Sequence, residues 1–234
     1  MTTFLTAEVF VNVRCIASFL LLAVLSAGSM AATPAAIREK VEHDHPGLIP
    51  AEAMDRAFGY LADHGDKVGN KNYLTIIDFT RPSTVKRCHV IDLRSGEVES
   101  LLVAHARNTG VDRAEHFSNE NGSNKSSLGI YLTGELYQGK HGLSMRLDGM
   151  EPTNDNARRR AIVMHGADYV SEKVIQQQGR LGRSLACPAL EMGVIERIVR
   201  ELNGKSVLLI YGKESPEATT KAATRAAAPS GIDE

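Results

Sequence analysis

RAIVMHGADYVSEKVIQQQGRLGRSLACPAL, residues 160–190, divides into three parts, and the rest of the chain arranges itself around them. Arg160 to Met164 is an apolar, strand-like run that delivers His165-Gly166 at its end. Ser171 to Gln178 reads as a short polar helix stopped by Gly179. Gly182-Arg183-Ser184-Leu185-Ala186-Cys187-Pro188 reads as a turn. His165 and Cys187 stand 22 residues apart, each at the end of an ordered element. A thiol needs such a partner, because the thiolate is the nucleophile and a free cysteine is mostly protonated at neutral pH. Imidazole is the side chain whose proton affinity suits that task.

Downstream of Cys187, Leu190, Val194, Ile195, Ile198 and Leu202 recur at helical spacing, and Asn203-Gly204 supplies a stop. This places Cys187 just before a helix, where unpaired N–H groups and a positive dipole would lower a thiol's pKa. Ser206 to Tyr211 is then a buried-type strand.

Upstream lies a run of strands. Tyr73–Phe79, Cys88–Leu93 and Val98–His105 are β-branched and separated by the turns Arg81-Pro82-Ser83-Thr84 and Arg94-Ser95-Gly96-Glu97. Residues 107–126 are rich in Asn, Ser and Gly and read as a long loop. Leu128–Thr133 is a further strand, and Gly139-Lys140-His141-Gly142 turns into Leu143–Leu147. Asn154 to Arg160, ending in three arginines, reads as a solvated face. Pro50 opens a helix with Met54, Ala57, Phe58 and Leu61 on one side, while residues 33–48 are polar and loop-like. Within that loop Glu42-His43-Asp44-His45 looks like a ligand cluster but lacks an i,i+4 histidine pair, so no metal is expected there.

The first 31 residues read as a secretory signal. Ile16 to Leu25 is apolar but too short to cross a bilayer comfortably, and Ser29-Met30-Ala31 fits a small-x-small cleavage site. Residues 32–49 then read as an N-terminal linker, 50–212 as one catalytic domain and 213–234 as a disordered tail rich in Ala, Thr, Pro and Ser. Removing leader and tail leaves about 180 residues, enough for one well-cored domain. The formal charge of −1 falls in the tail, so the core is near neutral and gives no basic footprint for nucleic acid. Tryptophan is absent, which argues against a broad carbohydrate-stacking platform. Once the leader is removed, Cys88 and Cys187 remain, and a disulfide between them is the rival to a catalytic thiol in an exported protein.

His165-Gly166 followed by Gly182-Arg183-Ser184-Leu185-Ala186-Cys187-Pro188 resembles the active-site signature of the L,D-transpeptidases. The similarity is to the murein L,D-transpeptidase catalytic-domain branch, YkuD-like, with proline after the cysteine. It extends through Ile77-Asp78-Phe79, Val90-Ile91-Asp92-Leu93, Gly122–Gly129, and Gly139–Ser144 through Asn154–Arg160, and so covers roughly Pro50 to Gly212. The resemblance implies a mainly β fold, a mixed β-sandwich with a few short helices. It implies Cys187 as nucleophile, His165 as base, and the Gly166 carbonyl as the group that orients the imidazole. Ser184 matches the family's hydroxyl three residues before the cysteine, and Arg183 is a candidate for holding the donor peptide.

The implied activity is cleavage of the bond between positions 3 and 4 of a peptidoglycan tetrapeptide stem, then acyl transfer to an amine. Water as acceptor gives an L,D-carboxypeptidase. No metal or organic cofactor is implied, and the partners are stem peptides, outside the cytoplasm, periplasmic or secreted, with no membrane span once the signal is cleaved. Two positions depart from the pattern. Ala186 stands where glycine is usual, and Pro188-Ala189 lacks the arginine that commonly follows the cysteine. Backbone N–H groups at 186 and 187 remain available for an oxyanion hole, but a positive φ at Ala186 would be strained. A wall-binding protein that keeps the fold without the reaction is the alternative these departures raise.

Overall fold

A computed structural model describes residues 33–214; the expected leader, with Cys15, and the tail beyond residue 214 lie outside the described residues. The centre is an eight-stranded mixed sheet in the order β3-β2-β1-β8-β4-β5-β6-β7. Its strands are β1 (Tyr73–Asp78), β2 (Cys88–Asp92), β3 (Val98–Leu101), β4 (Gly129–Gly139), β5 (Gly142–Gly149), β6 (Val163–Gly166), β7 (Ala189–Leu190) and β8 (Val207–Tyr211). Two pairings are parallel, β1 with β8 and β6 with β7. Beyond β3, Ala104 bridges to Ala189, so the two edges of the sheet approach one another and nearly close it.

Alternation along the strands explains why both faces are buried. Ile77, Cys88, Val90, Tyr131, Leu208 and Ile210 enter one core, together with Ile195, Ile198, Val199 and Leu202 of α4 (Ile195–Leu202). Leu74, Ile76, Ile91, Ile130, Leu132, Val207 and Leu209 enter the other. That second face is covered by α2 (Ala51–Asp63) and α1 (Pro34–Asp44). A sheet covered on both sides reads as near-continuous apolar runs, as Tyr73–Phe79 and Ser206–Tyr211 do.

Helix α1 occupies residues expected as loop. The Thr33 hydroxyl accepts from Ala36 N–H, Pro34 opens the first turn, and Ile37 and Val41 are buried one turn apart. Two large apolar residues among eleven are too sparse for periodicity to register, yet both pack against the sheet-covering core. Between α1 and β1, Pro50 precedes α2 as expected, and Met54, Ala57, Phe58 and Leu61 are its buried side chains.

The helix expected directly after Cys187 is displaced. Ala189-Leu190 forms β7, held by β6 on one side and by Ala104 on the other, and α4 does not begin until Ile195. Sheet pairing outcompetes helix formation for this buried apolar pair. Cys187 therefore does not sit at the N-terminus of α4. Helix α3 (Glu172–Gln178) matches expectation, with Ser171 capping its start and Gly179 at φ 70° ending it.

Candidate active site

Strands β6 and β7 bring the two halves of the central stretch together. His165 lies opposite Ala189 in parallel register, and its N–H donates to the Pro188 carbonyl. The same register sets Cys187 beside Val163, whose N–H donates to the sulfur at 3.4 Å. On its other side the thiol faces the Ala161 carbonyl at 3.7 Å. Both residues line one cavity of about 650 Å³, with Tyr169, Arg160 and the hairpin residues Tyr137, Lys140 and His141.

The turn carrying Cys187 is tied down throughout. Ser184 Oγ donates to the Cys187 carbonyl at 2.6 Å, which pins the two ends of the turn to each other. The Ser184 N–H donates to the His105 carbonyl, and the Arg107 N–H donates to the Ser184 carbonyl. The N–H groups of Ala186 and Cys187 have no partner among the described residues, so the turn presents two adjacent free donors. Ala186 is not among the residues with positive φ, so a β-carbon there meets no backbone penalty. The left-handed non-glycines lining the cavity are instead Asn124 and Ala161, both at φ 52°. Arg183 lines the cavity but spends one nitrogen on the carbonyls of Arg107 and Gly110.

His165 is 4% exposed, and its Nδ1 lies 2.9 Å from the Gly166 carbonyl. A carbonyl only accepts, so Nδ1 carries the proton and Nε2 keeps its lone pair. Residue 166 is glycine where Ile195 and Met192 pack close, since a β-carbon there would sit 2.8 Å from both. Burial pushes the His165 pKa down, the Gly166 carbonyl offsets part of that, and His141 and Lys140 lower it further. Burial pushes the Cys187 thiol up, against smaller opposing effects from the Val163 N–H and the charges of Arg160 and Lys140. The thiolate-favouring environment expected from a following helix is thus replaced by one that keeps both groups neutral at rest.

Several cavity residues were not legible as site residues in the sequence. Arg160, expected on a solvated face, is half-buried and donates to Ser118 O, Ser127 Oγ, Ser123 Oγ and Lys125 O. It fastens the 118–127 loop, whose Asn121 and Asn124 also line the cavity. Its neighbour Arg158 does lie on the surface, paired with Glu135 and Asp148. The cationic residues of the lining are Lys140, Arg160 and Arg183, and no aspartate or glutamate faces them. Cys88 is buried in the β2 core and, like Cys187, is unpaired, which removes the disulfide reading. Among the described residues no cluster of His, Cys, Asp or Glu is arranged to hold a metal ion.

The family model of the L,D-transpeptidase catalytic domain matches residues 48–211. No curated protein sequence matches the chain. Similar solved structures include an L,D-transpeptidase from Mycobacterium smegmatis, at 10% identity and TM-score 0.38 over 60% of this chain and 59% of that one. An L,D-transpeptidase (Yku) from Stackebrandtia nassauensis is similar at 15% identity and TM-score 0.36 over 78% of each chain. The chain thus spans under two thirds of the length of the Mycobacterium smegmatis protein. Because the matched stretch runs from before the first strand to the end of the last and includes His165 and Cys187, the chain belongs to the L,D-transpeptidase catalytic-domain family.

Proposed function

We propose that the protein is an exported, cysteine-dependent L,D-transpeptidase acting on peptidoglycan stem peptides. The observation that carries this reading is the parallel pairing of β6 with β7, which sets a buried, carbonyl-oriented imidazole and a thiol into one cavity wall. The cationic, acid-free lining supports a donor with free carboxylates, as a stem ending in D-alanine has.

In the proposed cycle Cys187 Sγ attacks the carbonyl of the position-3 diamino acid while His165 Nε2 takes the thiol proton. The Ala186 and Cys187 N–H groups receive the developing oxyanion. Collapse breaks the C–N bond, His165 returns its proton to the leaving amine, and D-alanine departs from a thioester. A side-chain amine of a second stem then attacks the thioester and gives up a proton through His165. Cys187 leaves as the thiol, and a 3–3 cross-link is formed. Water in the acceptor's place would give the carboxypeptidase reaction, and product analysis on purified muropeptides separates the two.

Ala186 lends no support to the binding-only alternative, since its backbone is unstrained and both donors remain. The test is single-turnover acylation by a carbapenem, followed by intact mass. We expect one adduct on the native protein and none on Cys187→Ala or His165→Ala; acylation of either variant overturns the reading. Export is tested separately, by N-terminal sequencing of the cell-envelope protein. Cleavage near Ala31 or Ala32 is expected, and a chain beginning at Met1 would refute it.

A further inference from the structure

The β4–β5 hairpin places a second imidazole on the first. Gly139 pairs with Gly142, leaving Lys140-His141 as a two-residue tip, and Gly142 at φ 77° supplies the left-handed residue that closes it. At that tip the His141 ring stacks on His165, with centroids 4.5 Å apart and planes inclined by 26°. His141 is itself exposed, whereas His165 is buried. The hairpin thus extends an accessible side chain over the inner one.

The bond from His165 Nδ1 to the Gly166 carbonyl fixes one edge of the imidazole but leaves the ring free to pivot about that contact. Rotation about the bond that carries an imidazole has broad minima, so a single hydrogen bond defines its plane poorly. A ring stacked at 4.5 Å blocks the pivot. It also keeps water from the face it covers. Thiol and imidazole make no hydrogen bond with each other at rest, so the aim of Nε2 depends on what holds the ring.

We propose that His141 is a positioning residue for the reaction, clamping the His165 ring plane and shielding it from solvent so that Nε2 stays neutral and directed into the cavity. This rests on the reading of His165 as the base. The titratable and charged groups lining the cavity around that base are Tyr137, Lys140 and His141 of the hairpin, Arg183 and Cys187 of the facing turn, Tyr169, and Arg160 across the cavity. On the remaining side Ile195 and Met192 crowd Gly166 and are apolar. Removing the His141 ring opens one face of the imidazole to water, which makes the His165 cation easier to form.

The experiment compares His141→Ala and His141→Phe with the native full chain, measuring carbapenem acylation by intact mass across pH and stem-peptide turnover. For His141→Ala we expect acylation about tenfold slower, the upper end of what an aromatic pair contributes. Its kcat should fall while KM stays nearly constant, and the acid limb of its pH profile should move to higher pH. His141→Phe, which stacks but carries no proton, should regain most of the rate. Native rate and native limb in the alanine variant would overturn the proposal, as would an equal loss in both variants. Should His141→Ala lose its thermal transition, His141→Phe decides alone: a rate below about a tenth of native overturns the proposal. His165→Ala and Cys187→Ala run alongside. If either still acylates, the assignment of base or nucleophile has failed; if neither does, the result speaks to His141 alone.

Discussion

Cys187 Sγ accepts a hydrogen bond from the Val163 N–H at 3.4 Å, so the resting thiol is held by backbone and not by the imidazole. Its second neighbour, the Ala161 carbonyl, can only accept, which suits a protonated sulfur. The site therefore stores no thiolate–imidazolium pair. Cys187 should label slowly with iodoacetamide near neutrality, and the rate should keep climbing beyond about pH 9, because burial holds the thiol above its ordinary range. A plateau reached below about pH 6 would mean a preformed ion pair and refute this picture.

The two cysteines should separate cleanly. Cys88 is fully buried between strands and its pKa is pushed up to about 12 by desolvation, so it should not label in the folded protein. Cys88→Ala should keep acylation and lose roughly 1–2 kcal/mol of stability through lost core contacts. Cys187→Ala should do the reverse. Chemical denaturation and intact mass on both variants check this; a silent Cys88→Ala enzyme beside an active Cys187→Ala one would reverse the assignment.

Ala186 should tolerate glycine with little kinetic consequence. Its backbone does not need the left-handed region, and its N–H and that of Cys187 are already free. Losing one oxyanion donor costs roughly 3–4 kcal/mol, so a site deformed by alanine would gain a hundredfold or more in Ala186→Gly. We expect acylation within about threefold of native. A hundredfold gain would sink the claim that the native turn is competent.

Acid should destabilise the fold through two buried histidines outside the reaction. Burial lowers His89 and His105 to about 4, with Arg81 and Arg87 respectively adding to the effect. A depressed histidine favours the neutral form in the folded state. Its contribution is whole above about pH 6.5 and is lost as pH falls towards about 4, on the order of 3 kcal/mol for each residue. Urea unfolding at several pH values should show that slope. His89→Leu should remove about half of that slope; at pH 7 it gives up the hydrogen bond between His89 Nδ1 and Ser100 Oγ but also the unpartnered Nε2.

Local pattern carried much of the fold. Met54, Ala57, Phe58 and Leu61 announced α2, and the β-branched runs announced β1, β2 and β8, because burial on one or both faces leaves its period in the chain. The pairing of His165 with Cys187 was legible only as a motif. What periodicity missed has a physical cause in each case. Ile37 and Val41 are too few to outweigh the charges around them, yet they anchor α1. Ala189-Leu190 fits a helical period, but two neighbouring strands claim it. Arg160 and His141 are polar residues in polar surroundings, and they join the site only through contacts with segments distant in sequence.

The bridge between Ala104 and Ala189 has a consequence for how the protein comes into being. The turn that holds Cys187 is fastened at its flanks to residues 104–107, about eighty positions earlier in the chain. Contacts that distant form late, because the loop between them must be closed first. On the proposed reading, a newly made chain should carry an unassembled thiol until the sheet's two edges meet, and acylation of Cys187 should be acquired late in folding. Reactivity towards an acylating probe is then a clock for the completion of folding, read at a single sulfur atom.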